Sequence, residues 1–298
     1  MNEQHDAFSH ESTAISVRKI KSGPPLSWIV DAFRLVRAHW RTIIPAYLIV
    51  VVVSTLLQVV VGSLQPYHIG IGTMVVLVVV TFLAALLQSG MMAVFHGAAE
   101  NRPRVSDVFR GFKGSNLLGM FLLFVSALVI FAAFALAMFL LMKLFGGSSM
   151  MGAMNSYGSP YGYSYTRMMA EMMGGSSLVV LFFLAGALMV TALLFYAVPQ
   201  IIVSGESVFS ALKNSFRATF KNLLLLLVFG VNAATLYALL LLVSMAGAAL
   251  TTSMALIVVV MVVVISAFLL IFNGAYYLSF REVLLARPDG VGMKVENA

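Results

Sequence analysis

The sequence predicts an all-α, polytopic membrane protein with six transmembrane helices, and three observations carry that prediction. Hydrophobic residues fill 61% of the 298 positions and charged residues only 10%, where soluble domains carry about 25% charged residues. The apolar residues gather into six runs, at 43–64, 69–95, 117–142, 178–203, 223–247 and 253–280. Each reaches the ~20 residues that carry a helix across ~30 Å of hydrocarbon. The basic residues fall almost entirely in alternate connections. Helices are required because lipid gives an unpaired backbone group no partner.

Along the chain, residues 1–26 are polar and lack the short apolar core and small-residue cleavage site of a signal peptide. They are expected to form a disordered tail. Residues 27–286 form the six-helix domain, interrupted between the third and fourth runs by a Met-, Tyr- and Gly-rich insertion at 146–177. Residues 287–298 are a second tail. Cysteine is absent, which excludes disulfides, thiolate metal sites and cysteine nucleophiles.

Orientation follows from Lys and Arg, which resist translocation. Sixteen of the 18 basic residues lie in the N-terminal segment, the second-to-third and fourth-to-fifth connections and the C-terminus. Only Lys143 and Arg167 fall on the other side. Both termini are therefore expected in the cytoplasm and the insertion outside. The net charge of +7 reads as a topology signal, and no nucleic-acid partner is expected because no soluble basic domain collects it.

The segments entering the odd-numbered runs share a build: SWIVDAFRLVRAHWRTII, VSDVFRGFKGSNLLGM and SVFSALKNSFRATFKNLL. Ser27, Ser106 and Ser207 are placed to cap short helices. Apolar residues recur at helical spacing, as Ile29, Phe33, Val36 and Trp40, then Val105, Val108, Phe109 and Phe112, then Phe209, Leu212, Phe216 and Phe220. Beside them stand Arg34, Arg37 and Arg41, Arg110 and Lys113, and Lys213, Arg217 and Lys221. A helix with an apolar face flanked by cations lies in the membrane interface and meets anionic headgroups. Aligning 37–44 with 217–224 suggests three units, each an interfacial helix followed by a helical hairpin. Together the three helices would form a basic collar.

The runs AVPQIIVSGESVFSALKNSFRATFKNLLLLLVFG, NGAYYLSFREVL and SWIVDAFRLVRAHW resemble the uncharacterised six-helix inner-membrane proteins of beta- and gammaproteobacteria. The shared features are a Pro-containing fourth span, an Ala-Leu-Lys-x-Ser-Phe helix, a Lys-Asn turn into the fifth span and a Tyr-x-x-Phe-Arg-Glu exit. The likeness covers about 26–286 without the insertion. It implies a bacterial inner-membrane location; that family has no established activity, so no catalytic residue carries over.

Chemistry is sparse. All 11 acidic residues fall outside the apolar runs, so no intramembrane ionisable group of the kind proton-coupled transporters use is in view. Nucleophile-elbow, metalloprotease and phosphate-loop motifs are missing. No enzyme activity, cofactor or metal site is assigned. Neutral amides within the runs, Gln58, Gln88, Gln200, Asn232 and Asn273, are either interhelical glue or the lining of a path for an uncharged or zwitterionic solute. Pro199 should kink the fourth span and free the Phe195 carbonyl.

The insertion holds Met150, Met151, Met154, Met168, Met169, Met172 and Met173. Thioethers suit Cu(I), but methionine also serves as an adaptable contact residue. Copper binding, a lid or partner-binding loop, and a variable low-complexity insertion all stay open. The leading expectation is a non-enzymatic lipid- or partner-binding protein, with membrane lipids and a protein of the same membrane as its partners. The alternative is a transporter or channel.

Overall fold

A computed structural model describes residues 15–20, 26–64, 71–145, 177–248 and 253–285. The insertion from 146 to 176, with its copper, lid and filler readings, lies outside the described residues, as do most of both tails.

Among the described residues, six helices are long and apolar enough to cross a membrane and no sheet forms. In chain order the elements are α1 (Leu26–Ala38), α2 (Trp40–Leu64), α3 (Ile71–Ala99), a 3-10 helix (Val105–Phe112) and α4 (Gly114–Phe145). There follow α5 (Ser177–Leu194), α6 (Ala197–Ser204), α7 (Val208–Lys221), α8 (Leu223–Ala248) and α9 (Met254–Leu284). The spans are α2, α3, α4, α5 with α6, α8 and α9.

A short element enters each odd-numbered span, yet the three differ in kind. Two are α-helices of 13 and 14 residues, and the middle one is an eight-residue 3-10 helix. Ser207 caps α7 as expected, accepting the Ser210 N–H. Ser27 lies inside α1 instead, and the 3-10 helix starts after Arg104 with no side-chain cap. The bend into the first span is at His39 and the bend into the fifth at Asn222. Under the 37–44 to 217–224 alignment, His39 faces Thr219, three positions before Asn222.

The core sits at the end of the bundle where the chain's described ends meet. Trp28, Ile29, Ala32 and Val36 of α1 pack there against Ala275, Leu278 and Val283 of α9 and against the inner halves of α2 and α3. A smaller cluster joins Leu86, Met120, Ile201 and Ala211. Small residues permit the close approach. A methyl group at Gly90 would fall on the backbone of Val108, and one at Gly274 would meet Phe95 and Ala32 at 3.0 and 3.1 Å.

Residues 15–20, which the sequence assigns to the tail, form an extended strap across this end. Ile15 bridges Leu285 in antiparallel fashion, and the Ser16 and Arg18 N–H groups donate to the Leu284 and Val283 carbonyls. At the other end of the strap, the Asn222 side chain accepts from the Ile20 N–H at 3.0 Å and donates to the Arg18 carbonyl at 2.8 Å. Lys221 Nζ donates to the Val17 carbonyl at 2.8 Å. Ile15, Val17 and Ile20 rest on the core, so three apolar side chains and the backbone bonds dock this short stretch.

Candidate functional site: a collar of cations and exposed aromatics

The collar is clearest in α7. The face turned to the bundle carries small residues, with Ala211, Ser215, Ala218 and Thr219 buried. The apolar stripe of the sequence is divided between exposed and half-buried positions. Phe209 is 79% exposed and Phe220 42% exposed, while Leu212 and Phe216 are half-buried. Lys213, Arg217 and Lys221 lie among these exposed rings. In α1 the buried stripe is Trp28, Ile29, Ala32 and Val36, leaving Phe33 and, just beyond the helix, Trp40 exposed beside Arg34, Arg37 and Arg41. Arg34 pairs with Asp31 at 3.1 Å, and the Arg41 guanidinium lies 5.5 Å from the centre of the Trp40 ring. The 3-10 helix repeats the arrangement with exposed Phe109 and Lys113 and half-buried Arg110.

Small residues let α7 approach the fourth span closely, and this span is broken. Between α5 and α6 the backbone turns at Phe195 and Tyr196. Pro199 has no N–H for the Phe195 carbonyl, and the Tyr276 hydroxyl of α9 donates to that carbonyl instead. The bond between the Tyr196 N–H and the Ala192 carbonyl is opened too. Ser215 of α7 occupies the gap, its hydroxyl accepting from the Tyr196 N–H at 2.8 Å and donating to the Ala192 carbonyl at 2.8 Å. The Phe195 and Ala192 carbonyls and the Tyr196 N–H, all released by the break, thus find side chains, which lipid would not supply. Sequence reasoning located the freed carbonyl but missed both Ser215 and Tyr276. The available signal was the small-residue stripe at 211, 215 and 218, which marks a close helix contact.

The five amides do not gather around one lumen. Gln88 donates to Asn273 Oδ1 at 2.7 Å, joining α3 to α9, and Asn273 donates to its own Leu269 carbonyl. Gln200 is fully buried in the seam between α6 and α7, where its Nε2 donates to the Tyr196 and Ala211 carbonyls. Its Oε1 meets no donor among the described residues. Gln58 is exposed on α2 and Asn232 half-buried on α8. A cleft of about 540 Å³ between α4 and α5 is walled by Phe131, Phe134, Phe183 and Val190 and includes none of the five. Among the described residues no three His, Asp or Glu side chains converge on a metal position.

Comparison of the chain with protein-family models, with curated proteins and with solved structures finds no match.

Proposed function

We propose that the chain is a non-enzymatic, multi-pass protein of a bacterial inner membrane. Its collar holds it against anionic headgroups, with both termini on the cytoplasmic side. The observation that carries this reading is the outward face of α7, where exposed Phe209 and Phe220 stand beside Lys213, Arg217 and Lys221. Rings of that size exposed among cations suit the headgroup layer, which offers acyl chains to the rings and phosphates to the cations. The same face is where a partner in the membrane would dock. The three entering elements extend the collar around the bundle, in keeping with three related units.

The test is native mass spectrometry of the full chain released gently from its own membrane, compared with a variant carrying Lys213→Gln, Arg217→Gln and Lys221→Gln. The wild type should retain anionic lipid or a second polypeptide that the variant loses. Equal recovery from both would refute the collar reading. For the solute-path alternative the amides supply no shared lining. Liposome uptake that collapses in Gln200→Leu or Asn232→Leu would restore it.

A further inference from the structure

The strap brings cations to a corner that already has them. Residues 15–20 include Arg18 and Lys19 and no acid. They dock where α7 passes into α8, and the grip there is close. Lys221 Nζ donates to the Val17 carbonyl at 2.8 Å, and the Asn222 side chain donates to the Arg18 carbonyl at 2.8 Å and accepts the Ile20 N–H at 3.0 Å. The Val17 carbonyl belongs to the peptide bond that leads into Arg18, so covalent geometry sets the Lys221 ammonium beside the Arg18 backbone. Arg217 stands one turn earlier on the exposed face of α7.

Charges rooted this close lie on the scale of the ~8 Å screening length at physiological salt, so they repel. Among the described residues no carboxylate pairs with Arg18, Lys19, Arg217 or Lys221. The ion pairs there join Arg34 to Asp31 and both His96 and Arg102 to Glu100. Glu282, next to the Val283 carbonyl that holds the strap, is engaged by the Trp28 indole N–H at 2.6 Å. Arg18 gives its Nε to a neutral acceptor, the Ser16 hydroxyl, at 3.2 Å.

The Lys221 bond also leaves donors over. An ammonium carries three N–H groups, and one of them reaches Val17 from a side chain that stays exposed. The neighbouring Phe220 ring is 42% exposed, and in a membrane interface such a ring sits where acyl chains meet headgroups. An anion arriving at that level would bond Lys221 and lie against the strap cations at once. It would remove the repulsion that docking creates.

We propose that the strap and the α7–α8 corner together form a binding site for one anionic lipid headgroup, whose phosphate bridges Lys221 and Arg217 to Arg18 and Lys19 and holds the strap down. The inference rests on the collar reading for the level at which headgroups lie, and adds the strap as the second wall of the site. Lipid occupancy and strap docking are therefore coupled. A strap that lets go takes Arg18 and Lys19 with it and leaves the site incomplete.

The experiment follows hydrogen exchange of residues 15–20 in the full chain, in nanodiscs of phosphatidylcholine alone or with a minor fraction of phosphatidylglycerol. The reporter is the Ile20 amide, held by Asn222. The negative surface potential of an anionic bilayer repels hydroxide and slows exchange generally, so each lipid effect is compared with that in Lys221→Gln. In the wild type the added lipid should slow exchange about tenfold beyond this background, the effect of one charge-assisted contact. A chain with Arg18→Gln and Lys19→Gln should lose the excess as well. In phosphatidylcholine alone it should hold its strap at least as firmly as the wild type, because the repulsion is gone.

Equal lipid effects in the wild type and Lys221→Gln, or a wild-type response in the double variant, overturn the proposal. Inorganic phosphate that protects the strap equally in phosphatidylcholine overturns the headgroup as the ligand. Native mass spectrometry of the collar variant separates the two readings. Lipid lost from that variant, with wild-type strap exchange indifferent to lipid, would sink this proposal and leave the collar standing. Unchanged lipid recovery from it, with the Lys221-dependent protection present, would sink the collar and leave the strap site.

Discussion

Along α3 the residues at 86–98 are buried almost without interruption, while those at 72–79 mostly face outward, and the same gradient runs along α2 and α9. In α2 the buried residues are Ile43, Ala46, Tyr47 and Val50, and none beyond. In α9 they begin at Leu270 and continue to the end, whereas 256–263 are largely exposed. In α3 and α9 the exposed half is the more apolar one, while the buried half carries Gln88, Ser89, Asn273 and Ser279, so hydrophobicity does not explain the difference. In lipid, helices gain little by burying apolar surface and associate where small residues allow close contact or polar groups need partners. The basic half has both: Gly90, Gly97, Gly111 and Gly274 at close approaches, and the Ser215, Tyr276 and Asn222 bonds. The opposite half is built from valine-rich stretches, 75–80 in α3 and 258–264 in α9, which offer lipid a smooth surface and neighbouring helices little grip.

The sharpest way to break this contrast lies within one helix. Gly90→Ala would push a methyl group into the Val108 backbone, whereas Gly72 has nothing within 4 Å of the same added atom. Gly90→Ala should cost about 3 kcal/mol, at the upper end of overpacking penalties, or prevent folding altogether. Gly72→Ala should be neutral or slightly stabilising. Thermal unfolding of both in detergent reads the difference, and equal effects would show that the two halves of α3 are alike.

An effect of similar size is expected from truncating the core. Tyr277→Ala should destabilise by about 3 kcal/mol, since its ring is fully buried against Phe95 and Phe280. Val243→Ala, at a side chain 70% exposed, should lie within about 0.5 kcal/mol of wild type. Comparable losses would mean that something in the membrane covers Val243.

Ser215→Ala probes the polar stitch. It strands either the Tyr196 N–H and Ala192 carbonyl or lets them pair directly, so unfolding measurements should register a loss of about 1 kcal/mol. A gain in stability would show that the helix closes its own gap and that Ser215 is not what holds the break open.

The smallest effect belongs to the strap. Asn222→Ala removes bonds to the Ile20 N–H and the Arg18 carbonyl, and should cost at most about 1 kcal/mol globally. Locally it should raise hydrogen exchange at the Ile20 amide while leaving α9 protected. Unchanged exchange there would mean that the contacts with Val283 and Leu284 suffice to hold the strap.

How much of this was legible beforehand depended on the kind of signal. The six spans follow from run length alone, because lipid leaves the backbone no alternative. The Phe195 carbonyl could be located because a proline removes a named donor. The partners Ser215 and Tyr276 could not be assigned, since they lie 19 or more positions away and nothing in the linear sequence pairs them. The apolar stripe and cations of α7 could be read from spacing, but not the face it turns to the bundle, which Ala211, Ser215 and Ala218 form. Aromatic periodicity marks a buried stripe in water, whereas next to lipid the small residues mark the contact. The strap was missed because six mixed residues carry too little pattern to separate a docked segment from a loose one.

The strap also has a consequence for the order of assembly. It joins positions 15 and 285, so a segment made among the first waits for the last helix before half of its bonds can form. When α9 enters the membrane, Val283 and Leu284 complete the partners of a strand that Lys221 and Asn222 could hold from one side only. A nascent chain stopped after α8 would expose that strand's unpaired N–H groups. Its closure therefore reports the arrival of α9, and a probe of strap accessibility on stalled chains would time it.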